Sequence, residues 1–206
     1  MAHLVDLNQV TDSQGGIMIT RMRLVTGLLL VLCAMPALAQ EPGTFEAGAF
    51  GRYTHFDSKL NFDNRLGVGA LLGVFFVRNL AFEADVTYTR TKSQGGAELR
   101  QTPIHARLVY NVPVNDRGTF LIGAGYVRNL FRASYRETES GIGGLVGGRY
   151  GFGNRFAVRV DIAGDYIPNA ESRFVPPQLP GIEYKKSNFH LGIEAGVSIL
   201  VGRKAG

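Results

Sequence analysis

The stretch Leu80-Ala-Phe-Glu-Ala-Asp-Val-Thr-Tyr88 alternates two kinds of side chain without a break. One set consists of Leu80, Phe82, Ala84, Val86 and Tyr88, and the other of Ala81, Glu83, Asp85 and Thr87. Successive side chains of an extended chain point to opposite sides. The alternation therefore predicts a β-strand with one apolar face and one small or polar face.

The same pattern recurs along the chain, and helical periodicity is absent after residue 40. The predicted strands cover residues 44–56, 65–77, 80–91, 100–113, 119–131, 141–152, 155–167 and 188–201. Strands of this kind without intervening helices indicate an all-β fold built from antiparallel neighbours.

The connections between the predicted strands fall into two sets. The short ones are Arg78-Asn79, 114–118 and Gly153-Asn154, and the long ones are 57–64, 92–99, 132–140 and 168–187. We expect the last of these to contain no strand, because it holds Pro168, Pro176, Pro177 and Pro180. Short turns at one end and long loops at the other are typical of an outer-membrane barrel with periplasmic turns and extracellular loops. An even number of strands then places both chain ends in the periplasm.

Two features indicate that the apolar face points to lipid. The opposite face is rich in glycine, alanine and threonine, which suit the crowded interior of a narrow barrel. Aromatic residues gather near the strand ends, as in the interfacial girdles of membrane barrels. Those near the turn end are Phe45, Phe75, Phe76, Phe82, Tyr110, Phe120, Tyr150, Phe152 and Phe156, and those near the loop end are Tyr53, Tyr88, Tyr126 and Tyr166. We therefore predict an eight-stranded antiparallel up-and-down transmembrane β-barrel.

The N-terminal region has the features of a secretory signal peptide. Arg21 and Arg23 precede the apolar run 24–32, and Ala37-Leu38-Ala39 provides small residues for cleavage. We predict a signal peptide at 18–39 and the barrel at 40–206. Residues 1–17 are an upstream extension with two interpretations, a segment that is not translated and an addition to the signal peptide without a structural role. The only cysteine, Cys33, lies in the predicted signal peptide, so we expect no disulfide in the mature chain.

Charged residues on the small-residue face become lumen residues once the apolar face is outside. On the lipid face, one arginine near mid-bilayer would cost about 2–4 kcal/mol. Inside the barrel, opposite charges can pair, and we predict a lumen ion-pair network of Glu83, Asp85, Arg107, Arg149, Arg159, Asp161 and Glu194. This network has two interpretations, a plug or gate for small ions and simple packing of a narrow interior. We favour packing, because eight strands leave little lumen.

The chain resembles the transmembrane barrel of the outer-membrane protein A family. The resemblance covers 44–202 and is carried by the stretches 79–88, 147–161 and 192–202, which read NLAFEADVTY, GGRYGFGNRFAVRVD and GIEAGVSILVG. It implies that Glu83 and Arg159 pair in the lumen and that Arg107 occupies a basic lumen position. Arg149 departs from the family pattern, which often has an acid there. The periplasmic peptidoglycan-binding domain of that family is not expected here.

Candidate sites outside the lumen are few. One candidate site resembles the serine and histidine of a lipid A hydrolase. It consists of Ser187 and His190, with Glu171 and Glu183 in the adjoining loop. The spacing between Ser187 and His190 does not place both side chains on one face of a strand. Arg173, Lys185 and Lys186 are candidate surface-loop contacts for lipopolysaccharide phosphates or an extracellular ligand, although a solvated loop is the simpler interpretation. No catalytic residue, metal site or cofactor is predicted.

The expected function is a structural role in envelope integrity, together with surface interactions through the loops. A narrow porin-like channel or a conduit for apolar solutes is the main alternative, and a lipid A-modifying hydrolase comes third. Expected partners are outer-membrane lipids, lipopolysaccharide and the barrel-assembly machinery. The net charge is +5, but lysines and arginines are scattered, so nucleic acid is not expected as a partner.

Overall fold

The predicted strands form a closed barrel. A computed structural model describes residues 41–58, 62–92, 98–133, 136–152, 155–171 and 185–202, with the backbone alone for 169–171, 185 and 186. The strands are β1 Phe45–His55, β2 Arg65–Val77, β3 Leu80–Lys92, β4 Glu98–Pro113, β5 Gly118–Arg132, β6 Arg136–Phe152, β7 Phe156–Glu171 and β8 Lys185–Val201. In the described part of the chain, no helix has the length and hydropathy of a membrane-spanning helix.

Each strand pairs with its sequence neighbours in antiparallel fashion, and β1 pairs with β8 to close the sheet. Closure leaves no unpaired sheet edge, which is the condition for strands to cross lipid. The predicted eight-stranded antiparallel barrel is therefore confirmed. The predicted signal peptide lies outside the described residues.

The two ends of the barrel differ. Tight turns join β2 to β3 and β4 to β5, and both barrel termini, Phe45 and Val201, meet at that same end. In the first turn Asn79 has a φ of 63°, a conformation that asparagine tolerates better than most residues. In the second, the Asn115 carboxamide oxygen accepts hydrogen bonds from the backbone of Arg117 and Gly118. We call this the turn end and the opposite one the loop end.

Several strands extend further at the loop end than the sequence pattern indicates. Strand β6 already begins at Arg136, β7 runs to Glu171 and β8 begins at Lys185. The expectation that no strand includes Pro168 was wrong. Pro168 lies where the β7–β8 register shifts between Ile167 and Ala170, so the irregular ladder accommodates its missing N–H.

Alternate residues of every strand face in and out as the sequence predicts. The two girdles of outward aromatic residues are called the turn-end ring and the loop-end ring. The outward residues between them are mostly apolar and exposed, for example Val158, Val160 and Ile162 on β7. One assignment was wrong, because Phe75 is fully buried and belongs to the interior rather than to the turn-end ring. The Arg149 guanidinium lies 5.9 Å from the centre of the Phe75 ring, so this aromatic side chain packs against an interior charge.

Substituting an outward residue halfway between the rings tests which face meets lipid. We expect Val160→Arg to lower the free energy of unfolding in lipid vesicles by about 2–4 kcal/mol, because it places a cation in hydrocarbon. Thr138→Arg, which adds the same charge on the outer face beyond the loop-end ring, is the control and should cost little. Equal effects of the two substitutions in denaturant titrations would contradict the membrane orientation.

Candidate functional site

Polar and charged side chains fill the barrel interior. The structure buries all seven predicted lumen residues there, with exposed fractions of 2% for Glu83, 7% for Asp85, 1% for Arg107, 4% for Arg149, 5% for Arg159, 3% for Asp161 and 6% for Glu194. Four further buried residues take part in the same ion pairs, namely Glu46, Arg52, His105 and Asp165. These four were missing from the predicted network, although each occupies an inward position of its strand and the alternation of side chains could have identified it.

The layer nearest the turn end is built around Arg149 of β6. Its guanidinium donates to the Glu46 carboxylate of β1 and, over 2.7 Å, to the Asn111 side-chain oxygen of β4. Asn111 in turn donates to the backbone carbonyl of Val109 over 3.1 Å. The arginine that departs from the family pattern thus has a carboxylate from another strand as its partner.

The middle layer is built around Arg159 of β7. Two guanidinium nitrogens reach the two carboxylate oxygens of Glu83 on β3 at 3.0 and 2.9 Å, and the Nε atom donates to Asp161. A two-pronged arginine–carboxylate contact fixes both side chains in one geometry. It spans the lumen, because β3 and β7 are not neighbours in the sheet.

The layer nearest the loop end is a continuous chain of six side chains. Its contacts run from Glu194 to Arg52 at 3.1 Å, from Arg52 to Asp165 at 2.8 Å, from Asp165 to His105 at 3.0 Å and from His105 to Asp85 at 2.7 Å, and it ends on Arg107, which donates to Asp85. The chain connects residues of β1, β3, β4, β7 and β8, so it joins opposite walls of the barrel.

His105 holds the centre of that chain. Both of its ring nitrogens lie within hydrogen-bond distance of a carboxylate, Asp85 on one side and Asp165 on the other. Each carboxylate also accepts from an arginine, so both act as acceptors and the ring donates from both nitrogens. The positive ring offsets part of the acid excess among the described interior groups, which comprise six carboxylates in ion pairs with four arginines.

Interior glycines make room for these long side chains. A Cβ atom at Gly147 would overlap the Asp161 carboxylate, and one at Gly192 would overlap the Arg52 guanidinium. At Gly143 it would stand 3.0 Å from an Asp165 oxygen and 3.2 Å from the His105 ring. The glycine-rich inner face is therefore the steric complement of the ion-pair network.

Aromatic side chains cover the network on the loop side. The Phe56 ring makes edge contacts with Phe62 and His190, each with ring centres 5.7 Å apart, and Phe62 lies 6.3 Å from Phe131. Phe56 and Phe131 are almost fully buried. This aromatic cluster separates the charged interior from the loop-end surface.

The other candidate residues are spread out. Arg173 and Glu183 lie outside the described residues, and Lys185 and Lys186 are the first residues of β8 rather than part of a loop, since they pair with Glu171 and Ala170. His190 is fully buried and faces the interior, whereas Ser187 occupies an outward position of the same strand. Within the described ranges, no group of three or more His, Cys, Asp or Glu side chains is arranged to hold a metal ion.

Comparison with known proteins identifies the family. A model of the outer membrane protein beta-barrel domain matches residues 25–195, which is most of the chain. The chain belongs to this outer-membrane barrel family. No curated protein matches it in sequence.

Two solved structures show how far the fold of this outer-membrane barrel is shared. The crystal structure of Neisserial surface protein A is similar with a TM-score of 0.62 and 18% identity, over 76% of this chain and 98% of that one. The outer membrane protein OprG from Pseudomonas aeruginosa is similar with a TM-score of 0.55 and 11% identity, over 82% of this chain and 100% of that one. At such identities the likeness shows the fold alone, while family membership places the chain in the bacterial outer membrane.

The middle layer allows a direct test of interior pairing. We expect Arg159→Gln to lower the free energy of unfolding by about 3–5 kcal/mol, because it leaves the buried Glu83 and Asp161 carboxylates without their shared cation. The control is Asp63→Asn, which breaks a half-exposed ion pair with Arg65 of 3.1 Å and should cost less than about 1 kcal/mol. Denaturant titration of the folded barrel measures both, and equal losses would contradict the buried pairing.

Glu139 lies on the inner face of β6, three residues beyond Ile142, which pairs with the ring residues Tyr126 and Tyr166. Burial raises the pKa of Glu139 to about 7, and the neighbouring Glu137 carboxylate adds to the shift. The carboxyl group is therefore more easily ionised in the unfolded chain than in the folded one.

This difference gives the barrel a pH-dependent stability. The contribution of protonated Glu139 is fully present below the usual glutamate pKa of 4.5 and is lost as the pH rises through about 7. We expect Glu139→Gln to raise the free energy of unfolding at pH 8 relative to the wild type and to change it little at pH 4. Glu98→Gln, at an exposed outward position, is the control. An unchanged pH profile for Glu139→Gln would contradict the assignment.

Proposed function

We propose that this protein is a closed structural barrel of the outer membrane, which supports envelope integrity and presents its loops to the exterior. The observation that carries the proposal is the set of three ion-pair layers across the lumen. A solute path through the barrel would have to break contacts between opposite walls in each layer. The proposal therefore assigns no transport role to the lumen.

The size of the interior supports a closed barrel. Eight strands enclose a space just wide enough for side chains to fill. The cavity beside Arg159, Asp161 and Glu194 has a volume of about 10 Å³. That is room for about one water molecule. The aromatic cluster of Phe56, Phe62, Phe131 and His190 adds a cover on the loop side.

The proposal also implies one orientation of the barrel in the outer membrane. Both barrel termini lie at the turn end, and an exported chain whose ends remain on the inner side of the membrane presents its long connections outside. The turn end then faces the periplasm and the loop end faces the exterior.

We assign no catalytic activity to the protein. An acyl-transfer enzyme needs a serine and a histidine within hydrogen-bond reach. Ser187 and His190 occupy opposite faces of β8, and the His190 Nδ1 atom lies 3.4 Å from the backbone N–H of Asp57, which donates to it. A lipid A hydrolase built on these residues is disfavoured by that geometry.

Conductance measurements in planar lipid bilayers test the closed lumen. We expect the wild-type barrel to give no stable, large conductance. The paired truncation Glu46→Ser/Arg149→Ser removes one layer without leaving a lone charge, and it should stay closed because the middle and loop-end layers remain intact. Heat-modifiability gels confirm that each sample is folded before recording.

Complementation supplies the second arm of this experiment. In a strain without the gene, the wild type and the Glu46→Ser/Arg149→Ser variant should restore resistance to detergent equally, since the role rests on the folded barrel and not on its lumen. A stable, large conductance of the wild-type barrel would overturn the proposal in favour of a porin-like channel.

A further inference from the structure

The outer wall of β3–β6 carries an unusual row of arginines at the loop end. Arg90 pairs with Arg100 across β3 and β4, Arg100 pairs with Arg132 across β4 and β5, and Arg132 pairs with Arg136 across β5 and β6. All four are exposed. Like charges directly opposite each other on neighbouring strands repel, so an anion lying against the row would stabilise it, although Arg90 also donates from its Nε atom to the Tyr88 hydroxyl over 2.9 Å.

The surroundings of the row are also basic. Lys92 and Arg128 are exposed on the same outer face, and Glu98, opposite Lys92, is the single acid among the described outward residues at the loop end of these four strands. The described residues form no ion pair between a carboxylate and any of the row's arginines, although Glu98 has a longer-range interaction with Arg90. Six cations therefore face outward beside one carboxylate.

The basic residues are spread in height above the membrane. Arg90 and Arg128 each follow a tyrosine of the loop-end ring, Tyr88 or Tyr126, by two residues, about 7 Å along the strand. Arg132 lies six residues beyond Tyr126, about 20 Å along β5. The positive surface starts at the lipid interface and continues well beyond it.

An apolar groove lies on the same wall below the ring. It is shallow and largely open, and its lining, which includes Leu108, Ile122, Ala124, Gly144 and Ile162, reaches down to Tyr110 of the turn-end ring. Ala124 precedes Tyr126 by two residues, so the groove begins directly under the basic surface. A ligand that fits both features has acyl chains joined to several negative charges.

We infer that this wall binds lipopolysaccharide, with lipid A phosphates on Arg90 and Arg128, core phosphates on Arg132 and Arg136, and acyl chains along the groove. Arginine suits phosphate because its guanidinium offers two parallel N–H groups to the oxyanion. An ordinary anionic phospholipid carries its charge at the headgroup alone and would leave the upper arginines unused. The inference rests on the proposed orientation, in which the loop end faces the exterior.

Binding to purified barrel in detergent tests the site, with lipid A and phosphorylated-core lipopolysaccharide as the probes. We expect Arg90→Gln/Arg128→Gln to weaken lipid A binding at least about tenfold, the scale of one lost charge-assisted hydrogen bond. Arg132→Gln/Arg136→Gln should leave lipid A binding unchanged and weaken binding of the phosphorylated-core form. Arg78→Gln/Arg117→Gln removes the same charge at the turn end and is the matched control, which should behave as the wild type.

Several outcomes would overturn the inference. Equal binding by all variants would do so, as would equal binding of dephosphorylated lipid A or of phosphatidylglycerol vesicles. Binding of a soluble sulfated polysaccharide in the absence of lipid A binding would instead assign the row to a soluble polyanion. Heat-modifiability gels on every variant separate loss of folding from loss of binding.

The orientation is tested separately. A Thr138→Cys variant places a thiol at the loop end of a chain whose only other cysteine, Cys33, lies in the predicted signal peptide. Labelling of intact cells by a membrane-impermeant reagent supports the exterior placement, and its absence overturns it. Because the detergent assay does not depend on orientation, failure of the site and failure of the proposed orientation give different results.

Discussion

Burying charge inside a closed sheet is the constraint on which this structure depends. A barrel in lipid must turn an apolar face outward along every strand. Because this barrel has only eight strands, its interior is filled by side chains, and the ionisable residues of the inner face are buried away from bulk water. An isolated buried charge is strongly unfavourable, whereas paired and hydrogen-bonded charges are tolerated. The interior of this barrel meets that condition with three layers of arginine–carboxylate contacts, one of which passes through His105.

The layers also explain the composition of the inner face. Arginine and glutamate side chains are long enough to reach across a narrow lumen, and the positions beside them must be small. Gly147 and Gly192 fill that requirement, since a Cβ at either would overlap a charged group. Side-chain length and glycine placement together convert an eight-stranded sheet into a filled cylinder, which is the basis for assigning it a structural role.

Arginine serves a second purpose on the outside. Interior arginines such as Arg52 and Arg159 are satisfied by carboxylates of the same chain. The exposed row that runs from Arg90 to Arg136 has like-charged neighbours across each strand pair. Arginine thus fills the lumen where carboxylates of the same chain lie opposite it. Where no such carboxylate lies opposite, it offers a surface to an external anion.

The amino-acid sequence by itself determined the strand order, the turn and loop ends, and the face on which each residue lies. Alternation is a local property, so it assigns Glu83, Asp85 and Arg159 to the interior without knowledge of the rest of the chain. The same rule places Glu46, Arg52 and Asp165 on the inner face, since each occupies an inward position of its strand. Local patterns also placed Asn79 in a turn.

Only the tertiary structure determined which charged side chains contact each other and how far along the barrel the exposed arginines lie. Arg52 and Asp165 are 113 residues apart in sequence, and their contact depends on the stagger of eight strands around the closed sheet. The same stagger aligns Arg90, Arg100, Arg132 and Arg136 into one row. It also brings Arg149 against the Phe75 ring and lets Pro168 lie within β7 at a register shift. Alternation along one strand carries no information about register with the next, and register alone fixes these contacts.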